Sequence, residues 1–184
     1  MPHVDVTEGI PGIVSLMDRY PDTARPLNEL AQALLRADGG LTHAERELVA
    51  TYVSSLNRCV FCTQSHAATA RHLLDDAVVV GQVIAKGAGA PVSRKLKALL
   101  VVAAKVQQGG RGVSDADVAA ARAEGASDRD LHDTVLIAAA FCMYNRYVDG
   151  LATWAPDDPA VYDRIGRRLA TEGYPRGEPA LAFA

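Results

Sequence analysis

Residues 42–74 read THAERELVATYVSSLNRCVFCTQSHAATARHLL, and the reading of this stretch decides the fold. Thr42 and Glu45 stand three apart at the head of an apolar-rich run, the spacing of a capping box. In that motif the hydroxyl and the carboxylate each satisfy an orphan backbone donor of the first helical turn. A helix is therefore predicted over 43–56. Asn57 and Arg58 punctuate the chain, and a second helix is expected over 60–74. Joined by so short a break, the two can fold back on each other as a hairpin.

The flanking segments carry the same signature. Upstream, Leu27, Leu30, Ala31, Leu34 and Leu35 recur at the spacing of one helix face, predicting a helix that starts near Pro26 and ends at Gly39-Gly40. Residues 1–25 hold Pro2, Gly9, Pro11, Gly12 and Pro21, and read as an irregular arm with one short helical turn over 13–20. Downstream, a short helix over 77–86 is stopped by the Gly87 to Pro91 cluster. Ser93 caps a helix with Leu96, Leu99, Leu100, Ala103 and Val106 at core spacing, closed by Gly109-Gly110. Ser114 opens a short helix to about 124, Ser127 a long one to about 154, and Asp157 or Asp158 a last one to about 171. Residues 174–184 read as an extended tail. No segment alternates at period two. The expectation is an all-α, single-domain helical bundle over 1–184, with about seven to eight helices.

Composition agrees. The chain is 49% hydrophobic and only 5% aromatic, with Ala, Leu and Val dominant, which favours close-packed helices over sheet. Nineteen basic residues stand against 22 acidic ones, so no basic excess points to nucleic acid. The longest apolar runs, 98–104 and 135–144, fall far short of the ~20 residues needed to cross a bilayer. No signal-peptide pattern opens the chain. A cytoplasmic protein without nucleic-acid or membrane partners is expected. Three cysteines are too few for a secreted disulfide scaffold, so a closely spaced pair reads as redox-active or metal-binding.

Cys59 and Cys62 are such a pair. Three apart on a helix, they share one face within disulfide-forming reach. A thiol at a helix start is favoured as thiolate by the unpaired amides and the macrodipole, which points to Cys59 as the nucleophile. His66 lies one turn past Cys62 and can exchange a proton with it, which points to Cys62 instead. Glu47 sits twelve residues before Cys59, about three turns back on the preceding helix. In a hairpin it could approach His66 and fix its tautomer. A thiolate, a second thiol and a proton carrier are what peroxide reduction needs: a sulfenic acid forms, and the neighbouring thiol condenses with it.

The frame Glu47-x11-Cys59-x2-Cys62-x3-His66 resembles the alkylhydroperoxidase D family within the carboxymuconolactone decarboxylase-like superfamily. Leu41-Thr42-x-x-Glu45-Arg46-Glu47 and Val53-Ser54-Ser55-Leu56-Asn57 are similar to its peroxidase-related branch. So is Tyr144-Asn145-Arg146-Tyr147-Val148-Asp149-Gly150, with the branch's Asn-Arg-x-x-Asp helix. Where the best-known branch has a further His before the second cysteine, this chain has Phe61. The resemblance implies an all-α fold, homo-oligomers and thiol peroxidase activity with a Glu–His proton relay. Carried onto this chain, it makes Cys62 the attacking thiol, Cys59 the resolving one, His66 the relay and Glu47 its support.

Other readings compete. A zinc site would need a fourth ligand and a second paired motif, and the remaining cysteine, Cys142, is isolated on an apolar helix. Asn145 and Asp149, polar groups on that same helix stripe, need partners and read first as ties between helix ends. A carboxymuconolactone decarboxylase-like enzyme would not need the cysteine pair. A non-enzymatic redox sensor or adaptor would use it slowly. No nucleotide-binding motif is present, so no cofactor is expected, and reducing power should come from an external thiol or dithiol reductant acting after the hydroperoxide.

Overall fold

The computed structural model describes residues 1–74 and 76–174. In chain order its helices are α1 (Gly12–Arg19), α2 (Pro21–Leu35), α3 (His43–Leu56), α4 (Val60–Leu74) and α5 (Ala77–Lys86). Then come α6 (Arg94–Gln108), α7 (Asp115–Ala123), α8 (Asp128–Gly150) and α9 (Pro159–Glu172). Among the described residues there is no strand, so the protein is all-helical. The nine α-helices among the described residues exceed the seven to eight expected, and the surplus lies at the N-terminal end.

There the expectation of an irregular arm to residue 25 is corrected. Gly12–Arg19 forms two full turns, and α2 begins at Pro21 rather than near Pro26. Pro21 occupies the first helical position, where a missing N–H costs nothing. Pro26 lies inside the helix and forfeits one backbone bond. Burial of Ala31, Leu34 and Leu35, with Leu27 and Leu30 packed against the core, offsets that loss. Tyr174, the first residue of the expected tail over 174–184, is buried in the core. The rest of that segment lies outside the described residues.

The capping box opens α3 as predicted: Thr42 Oγ1 accepts from the Glu45 amide at 3.2 Å, and Glu45 Oε2 accepts from the Thr42 amide at 2.9 Å. Ser114 and Ser127 open α7 and α8 with the same reciprocal box, while Ser93 and Asp158 cap α6 and α9 by accepting the Leu96 and Ala160 amides alone. Helix α3 is the central element, buried on nearly every side from Ala44 to Ser54, and packs along α4, α6 and α8. Helix α4 lies between α3 and α9. Gly166 lets α9 come so close that a Cβ there would stand 2.5 Å from the Ala68 backbone.

Arg46 pins the frame around α3. Its guanidinium has no exposed surface, and it donates to the carbonyls of Leu41, Leu34 and Gly39 and to Asp133 of α8 at 2.6 Å. One side chain thus holds the end of α2, the 36–41 connection, α3 and α8 together.

Candidate active site

The break between α3 and α4 is tight. Arg58 takes a left-handed backbone at φ 60°, uncommon for a non-glycine residue. That turn lets the Cys59 amide bond back to the Ser54 carbonyl at 3.1 Å, while the Cys59 carbonyl accepts the first bond of α4 from Thr63 at 2.9 Å. Cys59 is therefore the residue that caps α4, and Cys62 lies in its first turn. Both are free thiols, and both are buried.

Glu47 of α3 has no exposed surface, and three side chains from three other parts of the fold meet it. His66 of α4 places Nδ1 2.7 Å from its Oε2. Arg36, just past α2, holds its Oε1 at 2.8 Å, and the Tyr174 hydroxyl donates to that same oxygen at 2.9 Å. Burial alone would raise the Glu47 pKa. The His66 and Arg36 charges and the His66 and Tyr174 hydrogen bonds together outweigh it and hold the carboxyl below its ordinary range. Burial, then the Glu47 charge, pushes Tyr174 well above a normal phenol, so it is a neutral donor. The structure therefore brings Glu47 to His66, the contact that required the hairpin.

Arg36 and Tyr174 were not singled out from the sequence. Arg36 offers no local cue, since it sits beside rather than on the apolar stripe of α2. Tyr174 follows Gly173, which closes α9 with φ 75°, and the residue after such a cap commonly packs back on its helix. That cue was available.

His66 and Cys62 open onto one cavity of about 90 Å³, lined mainly by apolar side chains from α1, α2, α4, α8 and α9. Phe61, Phe141, Leu169 and Met17 form its walls, and the His66 ring lies edge-on to Phe141 at 4.6 Å. Ser65 contributes a buried hydroxyl with no hydrogen-bond partner among the described residues, so a donor is unspent in an otherwise oily wall. Cys59 does not line this cavity.

The neighbouring Cys62 and burial push the Cys59 thiol pKa up, against the helix-start effect that favours a thiolate there. Among the described residues no three His, Cys, Asp or Glu side chains cluster to hold a metal ion.

Comparisons with known proteins bear on this arrangement. The model of the carboxymuconolactone decarboxylase family matches residues 21–88, which hold Glu47, both cysteines and His66. An uncharacterized peroxidase-related protein of Ralstonia eutropha, with an alkylhydroperoxidase AhpD core, superposes with TM-score 0.76 at 30% identity. That match covers 86% of this chain and 82% of the other. The chain belongs to the AhpD-like family of the carboxymuconolactone decarboxylase superfamily. An uncharacterized peroxidase-related protein of a Silicibacter species is also similar, with TM-score 0.74, 25% identity and coverage of 80% of this chain and 78% of the other. A protein of unknown function from Agrobacterium tumefaciens shares the AhpD-like fold at TM-score 0.70 and 19% identity, over 86% of this chain and 100% of its own. No curated protein matches the chain. Among the described residues no helix is long and apolar enough to cross a membrane.

Proposed function

We propose that this AhpD-like chain is a thiol peroxidase that reduces hydroperoxides with Cys62 and Cys59 and moves protons through His66 and Glu47. The observation that carries the reading is the buried Glu47–His66 pair, closed at 2.7 Å, on an apolar cavity that His66 shares with Cys62. With Nδ1 engaged by the carboxylate, His66 keeps Nε2 for exchange with the Cys62 thiol. His66 takes the Cys62 proton, and the thiolate attacks the terminal peroxide oxygen. The O–O bond breaks, a sulfenic acid forms on Cys62, and the departing alkoxide takes the proton back as an alcohol. The Ser65 hydroxyl stands ready to hydrogen-bond the peroxide oxygens.

Cys59 then attacks the sulfenic sulfur, water leaves, and a disulfide joins the two. An external thiol or dithiol of the cytoplasm reduces it, since the chain carries no nucleotide-binding motif of its own. The exposed apolar residues Val135, Leu136 and Met143 of α8 are the surface on which copies of the chain would meet as a homo-oligomer.

The test is a thiol titration before and after one equivalent of hydroperoxide, on wild type, Cys59→Ser and Cys62→Ser. Wild type should lose two thiols per chain. Cys59→Ser should stop at the Cys62 sulfenic acid, and Cys62→Ser should react no faster than a free thiol. A wild type as slow as a free thiol would leave a redox sensor, and one that does not react would return the decarboxylase reading.

A further inference from the structure

Two networks of polar side chains cross the helical interior. In the first, Asn57 donates to Asn145 Oδ1 at 2.8 Å and Asn145 donates to Ser54 Oγ at 3.1 Å. That is the tie read from the sequence at Asn145, and it joins α8 to the end of α3. The second network ends on Tyr174, a residue to which the proposed reaction gives no part.

Tyr174 is anchored from two sides. Its amide donates to Gln32 Oε1 of α2 at 2.7 Å, and the Arg36 guanidinium lies over its ring, 5.2 Å from the centroid. Gly173 makes the preceding turn at φ 75°, and a Cβ there would stand 2.6 Å from Gln32 Oε1. So placed, the ring is buried and lies beside His66 with the two planes 16° apart. Its hydroxyl meets two atoms: it donates to Glu47 Oε1 at 2.9 Å and lies 3.2 Å from His66 Nδ1. The other titratable groups here are Arg36, paired with the same carboxylate oxygen, and Tyr144 of α8, whose hydroxyl donates to the Leu27 carbonyl. Arg168 of α9 lines the same cavity as His66.

A phenol has one proton. The Tyr174 proton is committed to Glu47, because a carboxylate only accepts, so towards Nδ1 the hydroxyl presents a lone pair. Nδ1 therefore faces two acceptors, Glu47 Oε2 at 2.7 Å and the Tyr174 oxygen, and no donor among the described residues. A nitrogen bearing hydrogen is what fits there. A water in place of the hydroxyl would have two protons. It could give one to Glu47 and the other to Nδ1, which would admit the opposite tautomer.

Resting on the peroxidase reading, we propose that Tyr174 is a positioning residue whose single-proton hydroxyl, bridging Glu47 and His66, confines the His66 hydrogen to Nδ1 and so keeps the Nε2 lone pair for the Cys62 proton. Glu47 by itself supplies an acceptor, and the hydroxyl adds the exclusion of a donor. The same two acceptors suit the imidazolium formed when Nε2 takes the proton, so neither partner has to turn during the step.

Tyr174→Phe keeps the ring and removes the hydroxyl. Nitrogen NMR of the reduced, histidine-labelled protein at alkaline pH reads the tautomer with no peroxide present, the His66 signals being assigned by their loss in His66→Gln. Wild type should show Nδ1 protonated and Nε2 bare, and Tyr174→Phe a mixture of the two tautomers. In the same variant, oxidation of Cys62 by stoichiometric hydroperoxide should slow about tenfold, the equivalent of one hydrogen bond to a charged group. A merely structural tyrosine would leave the tautomer alone. A Tyr174→Phe spectrum with the hydrogen still confined to Nδ1 overturns the assignment whatever the rate, and so does a wild type with its hydrogen on Nε2. A wild type that does not react with peroxide sinks the peroxidase reading alone, because the tautomer is read from the resting protein.

Discussion

Glu47 stays ionised in a position with no solvent because three partners face it, and Arg36 is the one that brings a permanent charge. Replacing Arg36 by Met removes that charge and leaves burial less opposed, so the Glu47 pKa rises. The acid limb of the peroxide reaction should move to higher pH, read from the rate of Cys62 oxidation between pH 4 and 8. Breaking a buried pair also costs about 3–5 kcal/mol, to be measured by urea unfolding. An unmoved acid limb would mean that Arg36 only packs. The sequence made Glu47, His66 and the cysteines legible, because their spacing is fixed by two consecutive helices and needs no knowledge of the rest. Arg36 and Tyr174 were not legible in the same way. They reach Glu47 from other elements, Tyr174 from 127 residues away, and no local pattern encodes such a meeting.

Helix α9 backs the thiol-bearing helix through a glycine. At Gly166 a Cβ would fall 2.5 Å from the Ala68 backbone and 2.7 Å from the Thr69 amide, so Gly166→Ala must push α9 off α4. Overpacking of this kind typically costs about 1–3 kcal/mol, visible as a lower urea midpoint. The shift should also widen the cavity that α9 helps to wall, through Ile165 and Leu169, and slow Cys62 oxidation. Unchanged stability would show that the helices can part freely. Helix starts were the best-read features of the chain, since a hydroxyl or carboxylate in the cap position acts on its own neighbours alone. At the N-terminal end two prolines compete for one helix start: both suit a first turn by sequence, but Pro21 fills that position and Pro26 lies inside the helix. The close approach at Gly166 had no expression in periodicity: an isolated glycine in a helix looks the same whether it faces solvent or a neighbour.

The molecule as a whole is held at several places by carboxylates with depressed pKa values. Burial works against Asp133, but hydrogen bonds from Arg129, His132 and Arg46 and the Arg46 charge bring it below its ordinary value, and Glu47 behaves likewise. A depressed folded pKa gives stability that is fully present above the unfolded value, about 4 for these groups, and is lost as pH falls through the folded one. Urea midpoints should therefore be level from neutral pH down to about 5 and fall steeply below about 4. In Asp133→Asn the starting stability should be lower and the acid fall shallower. An equally steep fall would place the acid sensitivity elsewhere.

The Tyr174 hydroxyl on Glu47 joins residues synthesised far apart in time. A ribosome that has released α3 and α4 has already made both sulfurs and the imidazole, yet the carboxylate they depend on lacks its phenol donor until some hundred residues later. A growing polypeptide carries its dithiol and its Glu47–His66 pair before the last donor to that carboxylate exists, and the Glu47 surroundings are complete only once the residue after α9 has packed in.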